Sequence, residues 1–143
     1  MRHQNHSQRL GRKPDQARSL LKNLVTSVLL YETVRTTKKR AQVVRPLIDR
    51  VITIGKRDRN DLAIRKINDM VCDDNACRKV LEVLAQRYAK RPSGFTRVVP
   101  VGQRQGDGAL MVELSLVDAA APVTEKEEEL KTAKKKSSAK KSA

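Results

Sequence analysis

Aromatic side chains are almost absent from this chain: it has no tryptophan, one phenylalanine and two tyrosines in 143 residues. Tyr31 and Tyr88 fall on helix faces expected to pack inward, so the stacking platforms that hold single-stranded bases are missing. Cysteine is equally scarce. Cys72 and Cys77 are too few and too close for a disulfide framework, their spacing is not the usual zinc one, and Cys77 reads as a small apolar residue on a helix. The two histidines, His3 and His6, have no third partner to complete a metal site, and they read as hydrogen-bond donors to phosphate or base edges. No metal or cofactor is expected. Neither is catalysis on a small-molecule substrate, because no nucleophile with a base, no carboxylate pair and no metal cluster is visible. No apolar run approaches the ~18 residues of a membrane span. The polar start from Arg2 to Lys13 lacks the apolar stretch of a secretory signal, which predicts a cytoplasmic protein without a membrane partner.

Positive charge is what the chain has in excess. Lysine and arginine number 31 against 16 acids, a net charge of +15, which is more than solubility requires and points to a polyanion, nucleic acid first. Without stacking aromatics, the mode that remains is recognition of folded or duplex nucleic acid through its phosphates. The length suits one domain with a real core.

Residues 1–13 form a basic arm with almost nothing apolar, either a frayed end or a segment that orders on its partner. From Pro14, a residue suited to a first helical turn, Ala17, Leu20, Leu21, Leu24, Val25 and Val28 recur at spacings of three and four, while Arg18, Lys22, Asn23 and Thr26 take the opposite, wet side. The β-branched run Thr33–Thr37 then predicts a strand. A second helix begins beyond Thr37 with Ala41, Val44, Ile48, Val51 and Ile52 inward. Its outer face carries Lys38, Lys39, Arg40, Arg45 and Arg50, opposed only by Asp49. Pro46 is expected to kink or divide this helix, and Gly55 to end it. A short helix from Asp61 to Met70 holds Leu62, Ile64 and Ile67. Another, capped by Asp73 or Asp74, carries Cys77, Val80, Leu81, Leu84 and Tyr88 inward. The outward charges of these two helices, among them Arg65, Lys66, Arg78, Lys79 and Arg87, suit a solvated face or an RNA contact equally.

Arg91 and Pro92 break the last helix. Thr96 to Val101 reads as a strand with an edge or bulge at Pro100, and Leu110, Val112, Leu114 and Leu116 alternate as a half-buried strand. The glycines of GQRQGDGA between them suit a hairpin turn, and Arg104 at its tip can make forked bonds to phosphate. The predicted fold class is therefore α+β: helix, strand, three helices and a two-stranded hairpin, the small sheet packed on the helices in two layers. Residues 14–118 form this domain. Residues 119–143, with seven lysines and four glutamates, read as a disordered tail.

Two stretches carry a resemblance. Lys22, Asn23, Ser27, Tyr31, Glu32, Arg35, Thr36 and Thr37, preceded by Met1, Arg2, His3, Leu10, Gly11 and Arg12 and followed by Arg40, Ala41 and Arg45, resemble the first signature of the bacterial-type large-subunit ribosomal protein L-seventeen family. SGFTRVVPVGQRQGDGALM resembles its second through Gly94, Thr96, Arg97, Gly102, Arg104, Gly106, Asp107, Ala109 and Met111. The resemblance implies a structural constituent of the large ribosomal subunit that supports assembly and translation. Its implied partners are large-subunit ribosomal RNA and neighbouring ribosomal proteins near the peptide exit region. Phosphate contacts are then expected at Arg2, His3, Arg9, Arg12, Lys13, Lys22, Arg35, Lys38, Arg40, Arg45, Arg97 and Arg104. An architectural nucleoid DNA-binding protein explains the charge equally well, but no recognition helix, zipper or intercalating wedge is apparent.

Overall fold

A computed structural model describes residues 10–57 and 61–118. The expectations for Arg2, His3, Arg9, the arm up to residue 9 and the tail 119–143 lie outside them.

Helix α1, Pro14–Tyr31, opens on its proline and closes at Glu32, whose φ of 62° is left-handed and whose N–H donates to the Val28 carbonyl at 2.9 Å. A left-handed residue at this place reverses the chain without a glycine, and strand β1, Thr33–Thr37, follows at once. Val25, Val28 and Leu29 are buried. Two expectations for α1 fail. Thr26 is buried, because its hydroxyl donates to the Lys22 carbonyl at 2.8 Å and accepts the Cys72 N–H at 3.1 Å, so both its polar needs are met. Tyr31 is 74% exposed, since the inward stripe of Val25, Val28 and Leu29 passes on to the half-buried Glu32 rather than to Tyr31.

Helix α2, Lys38–Arg57, buries Ala41, Val44, Ile48, Val51 and Ile52. Pro46 lies inside α2 without dividing it; Val44 and Ile48 on either side are anchored in the core, which holds the helical path across the missing N–H. Gly55 does not end the helix. It is a buried interior position where a Cβ would stand 2.7 Å from Val80 Cγ1, so the glycine serves close approach of two helices rather than a stop. Asp49 turns its Oδ1 inward to accept the Phe95 N–H at 3.1 Å, while its charge still acts on Arg45.

Helix α3, Asp61–Met70, buries Ala63 and Ile67, while Leu62 is exposed, because its position falls one residue off the buried face. Helix α4, Asp74–Lys79, is capped by Asp73, which accepts the Asn75 N–H at 2.9 Å. It passes through a π-helical turn, Val80–Leu84, into the short α5, Ala85–Arg87. These three segments form one helical run, so the order of helices matches the expected one. The widened turn sits where Val80 meets Gly55.

Strands β2, Thr96–Gln103, and β3, Leu110–Leu116, complete an antiparallel sheet of order β1-β3-β2. The register shifts between Pro100 and Gly102, a bulge at the expected proline. Val112, Leu114 and Leu116 of β3 are buried against the helices, with Thr36 of β1 and Thr96 of β2 beside them. At the base of this layer the Tyr88 and Phe95 rings lie 5.1 Å apart and tilted, an arrangement worth about 0.5–1.5 kcal/mol beyond burial. The Tyr88 hydroxyl donates to the Val117 carbonyl, and burial pushes its pKa up. The fold is thus two layers, with the helices on one side of the sheet only.

Candidate nucleic-acid interface

Strand alternation decides what the uncovered side of the sheet offers. Thr33, Arg35 and Thr37 of β1 pair with Ser115, Glu113 and Met111 of β3, and Arg97 and Val99 of β2 pair with Ser115 and Glu113. All of them lie on the face away from the helices. Arg35 and Arg97 therefore stand diagonally across the central strand, both exposed, with hydroxyl side chains between them. Arg35 Nε lies 3.3 Å from Glu113 Oε2, an exposed pair of small energetic weight. Among the described residues no element packs on this face.

Other expected contacts fall elsewhere. Arg12 and Arg40 line one shallow groove along the outer side of α1, beside Asn23 and Ser27. Lys13 occupies the position before α1 and is exposed. Lys38 and Arg45 share the outer face of α2. Lys22 leans toward α3, its Nζ 3.6 Å from Asp69 Oδ1. The sites thus do not converge on one point; they spread over the sheet face, the α1 groove and the α2 surface, which is the distribution a broad phosphate-binding surface needs.

Arg104 is held by its own loop. Its Nε and Nη2 reach Asp107 Oδ1 and Oδ2 at 2.9 and 2.5 Å, and Asp107 also accepts the Ala109 N–H at 3.3 Å. The Arg104 hydrogen bonds, with help from Ala109, hold the Asp107 carboxyl down at about 2. The glycines do what the turn expectation asks: Gly106 and Gly108 have φ of 99° and 63°. Part of the Arg104 fork is occupied, and its remaining N–H groups face outward.

Sequence reasoning missed a second charged constellation. Glu32 is only 14% exposed and receives Lys79 Nζ at 2.8 Å and Arg87 Nη1 at 2.8 Å. Burial pushes its carboxyl up, but the bonds from Arg87 and Lys79 outweigh that and its pKa lies below the ordinary value. Lys79 is thereby corrected from an outward charge to a half-buried tie, while Arg87 reaches Glu32 from an exposed position. No local pattern announces a pairing between residues so distant in the chain.

Residues 20–117 match the family described as Ribosomal protein L17. The chain is 43% identical to a protein of Desulforudis audaxviator named large ribosomal subunit protein bL17, over 110 residues that cover 76% of this chain and 96% of the relative. The protein of the same name from Syntrophotalea carbinolica is 40% identical over 119 residues, 82% of this chain and 76% of the relative. That from Elusimicrobium minutum is 40% identical over 110 residues, 77% and 93% respectively.

Proposed function

Because the chain belongs to the ribosomal protein L17 family, we propose that it is a structural, non-enzymatic constituent of the large ribosomal subunit that binds folded ribosomal RNA through phosphate contacts. The observation that carries the RNA mode is the uncovered sheet face, with Arg35 and Arg97 set diagonally on a rigid three-stranded base. The strands fix the backbone positions from which these cations project, so only their side chains have to be ordered on binding. Arg12, Lys13, Lys38, Arg40 and Arg45 extend the surface, and Arg2, His3 and Arg9 of the arm add to it. Lys22 and Arg104 contribute with the donors that Asp69 and Asp107 leave unused.

In this reading residues 1–13 are an RNA-binding arm, 14–118 the folded domain and 119–143 a tail. The site lies near the peptide exit region beside neighbouring ribosomal proteins, and binding there supports subunit assembly and translation. Ultraviolet cross-linking of the tagged chain in growing cells, followed by sequencing of the attached RNA, tests it. Reads concentrated in a few segments of large-subunit ribosomal RNA and thinned by the double variant Arg35→Ala, Arg97→Ala are expected. Reads scattered over messengers, or recovery of DNA instead, would overturn it.

A further inference from the structure

The first two turns of α2 face the β2–β3 hairpin across a groove of about 430 Å³ that continues past Leu110 toward Thr37 and Lys39. One wall is a stripe on a single face of α2: Lys38, Gln42 and Arg45, spaced by four and three, all exposed. The opposite side and floor are apolar, built from Val98, Pro100 and Val112, and the lip is Leu110, which is 52% exposed. No carboxylate lines either part of the groove. Among the described residues, Lys38 and Arg45 have no acid within ion-pair distance, unlike Lys22, Arg35 and Arg104.

We propose that this groove receives a single unpaired nucleotide of the bound RNA, an inference that rests on the RNA reading above. The volume lies in the roughly 300–1,000 Å³ range of small-molecule pockets, large enough for one nucleotide. The apolar floor shields one face of the base from water. The flat guanidinium of Arg45 stacks over the base or takes a phosphate, as such groups do on unstacked bases. Lys38 supplies a point charge for a flanking phosphate. The Gln42 carboxamide carries both donors and an acceptor, the pair of functions that an adenine edge requires. A paired base cannot reach the floor, so the ligand is a nucleotide extruded from a loop or bulge. An extended peptide is the weaker occupant: a carboxylate-free basic wall offers an apolar strand nothing for its polar groups, and Pro100 with the adjacent bulge removes the N–H that strand addition to β2 would use.

Methyl NMR of the full chain tests this with three probes: a short single-stranded adenosine oligonucleotide, an RNA duplex with the same number of phosphates, and a glutamate-rich peptide. The single strand is expected to shift the methyl signals of Val98, Leu110 and Val112, and the duplex to leave them in place while shifting signals of the sheet face. Leu110→Gln, a neutral change on an exposed lip, is expected to weaken single-strand binding about tenfold through loss of the apolar contact with the base, with duplex binding unchanged. Gln42→Ala is expected to reduce the preference for adenosine over uridine oligonucleotides. Groove methyls that respond equally to duplex and single strand, or to neither while the duplex still binds the sheet face, would overturn the nucleotide site and leave the RNA reading standing. A stronger response to the peptide would make the groove a protein-docking surface and overturn it as well. Failure of both RNA probes to bind anywhere would instead remove the RNA reading itself.

Discussion

Lys79 joins Glu32 to the end of the first helix: its Nζ lies 2.8 Å from Glu32 Oε1 and 2.8 Å from the Leu30 carbonyl. Arg87 holds the other carboxylate oxygen at 2.8 Å, and the Glu32 carbonyl accepts the Leu116 N–H at 2.8 Å. One residue thus ties α1, β1, α4, α5 and β3 together, and the same ties hold its left-handed backbone. Glu32→Gln leaves two partly buried cations without a counter-charge. It is expected to cost about 2 kcal/mol in urea unfolding, and an unchanged midpoint would show the knot to be energetically idle.

Acid acts on the same residue. The folded-state pKa of Glu32 lies below its ordinary 4.5, so the folded chain holds that proton less tightly than the unfolded one. Its contribution is complete above 4.5 and is lost as pH falls through the folded value. Asp49, whose carboxyl burial pushes up despite its bond to Phe95 N–H, acts in the opposite sense: it favours the folded state at low pH, and this is lost as pH rises through its folded value. The unfolding midpoint is expected to drop below pH 4.5 in the native chain, less steeply in Glu32→Gln, and more steeply in Asp49→Asn. Parallel profiles for all three would refute the assignment.

Alanine normally favours a helix over glycine by about 1 kcal/mol, yet Gly55→Ala is expected to destabilise. The new methyl group would stand 2.7 Å from Val80 Cγ1, on a β-branched side chain with little rotamer freedom, and overpacking of that kind costs roughly 1–3 kcal/mol. Val80→Ala in the Gly55→Ala background is expected to cost less than it does alone. Additive losses in thermal melts would argue against the contact.

The parts of this molecule that were legible in the sequence are those governed by local rules. Pro14 marked the start of α1, the β-branched run marked β1, the pair Asp73 and Asp74 marked a cap that Asp73 provides, and alternation from Leu110 to Leu116 marked the strand that is buried on one side. The reading failed where distant parts of the chain decide. Tyr31 is apolar enough to read as inward, but it is exposed, and Glu32 beside it is held instead by Lys79 and Arg87. Gly55 looks like a stop until Val80 is placed against it, and the π-helical turn that places Val80 there leaves no periodic signature. Of the interface, the residue types and the strand alternation were readable. The sheet order that sets Arg35 diagonally to Arg97 was not, because it depends on β3 inserting between two strands far apart in sequence.

On the sheet face, Arg35→Ala and Arg97→Ala are each expected to reduce the salt dependence of ribosomal RNA binding by about 0.7–0.9 in log–log slope, the loss of one displaced counterion. Glu113→Gln removes the only acid of that face among the described residues and releases Arg35 from its 3.3 Å pair, so tighter binding is expected. Weaker binding would mean that Glu113 orients Arg35 rather than competing for it. Filter binding across a salt series reads both.

Asp107→Asn removes the charge that fixes Arg104. Because Asp107 is held ionised down to about 2, the loop is expected to keep its geometry throughout the mildly acidic range in the native chain. In the variant, faster exchange of the Ala109 and Gly108 amides is expected at neutral pH, since the first donates to Asp107 and the second to the Arg104 carbonyl. Native protection in the variant would show that the glycine turn stands without its ion pair.

The order β1-β3-β2 also sets a timetable. The central strand is the last described element of the chain, so β1, made early, has no neighbour to bond until Leu110–Leu116 has left the synthesising machinery. Until then α1 and α2 can pair only with each other and with the helices that follow, and the arginine face on β1 has no rigid base. The sheet that carries Arg35 and Arg97 is complete only when its last strand pairs with both of the others.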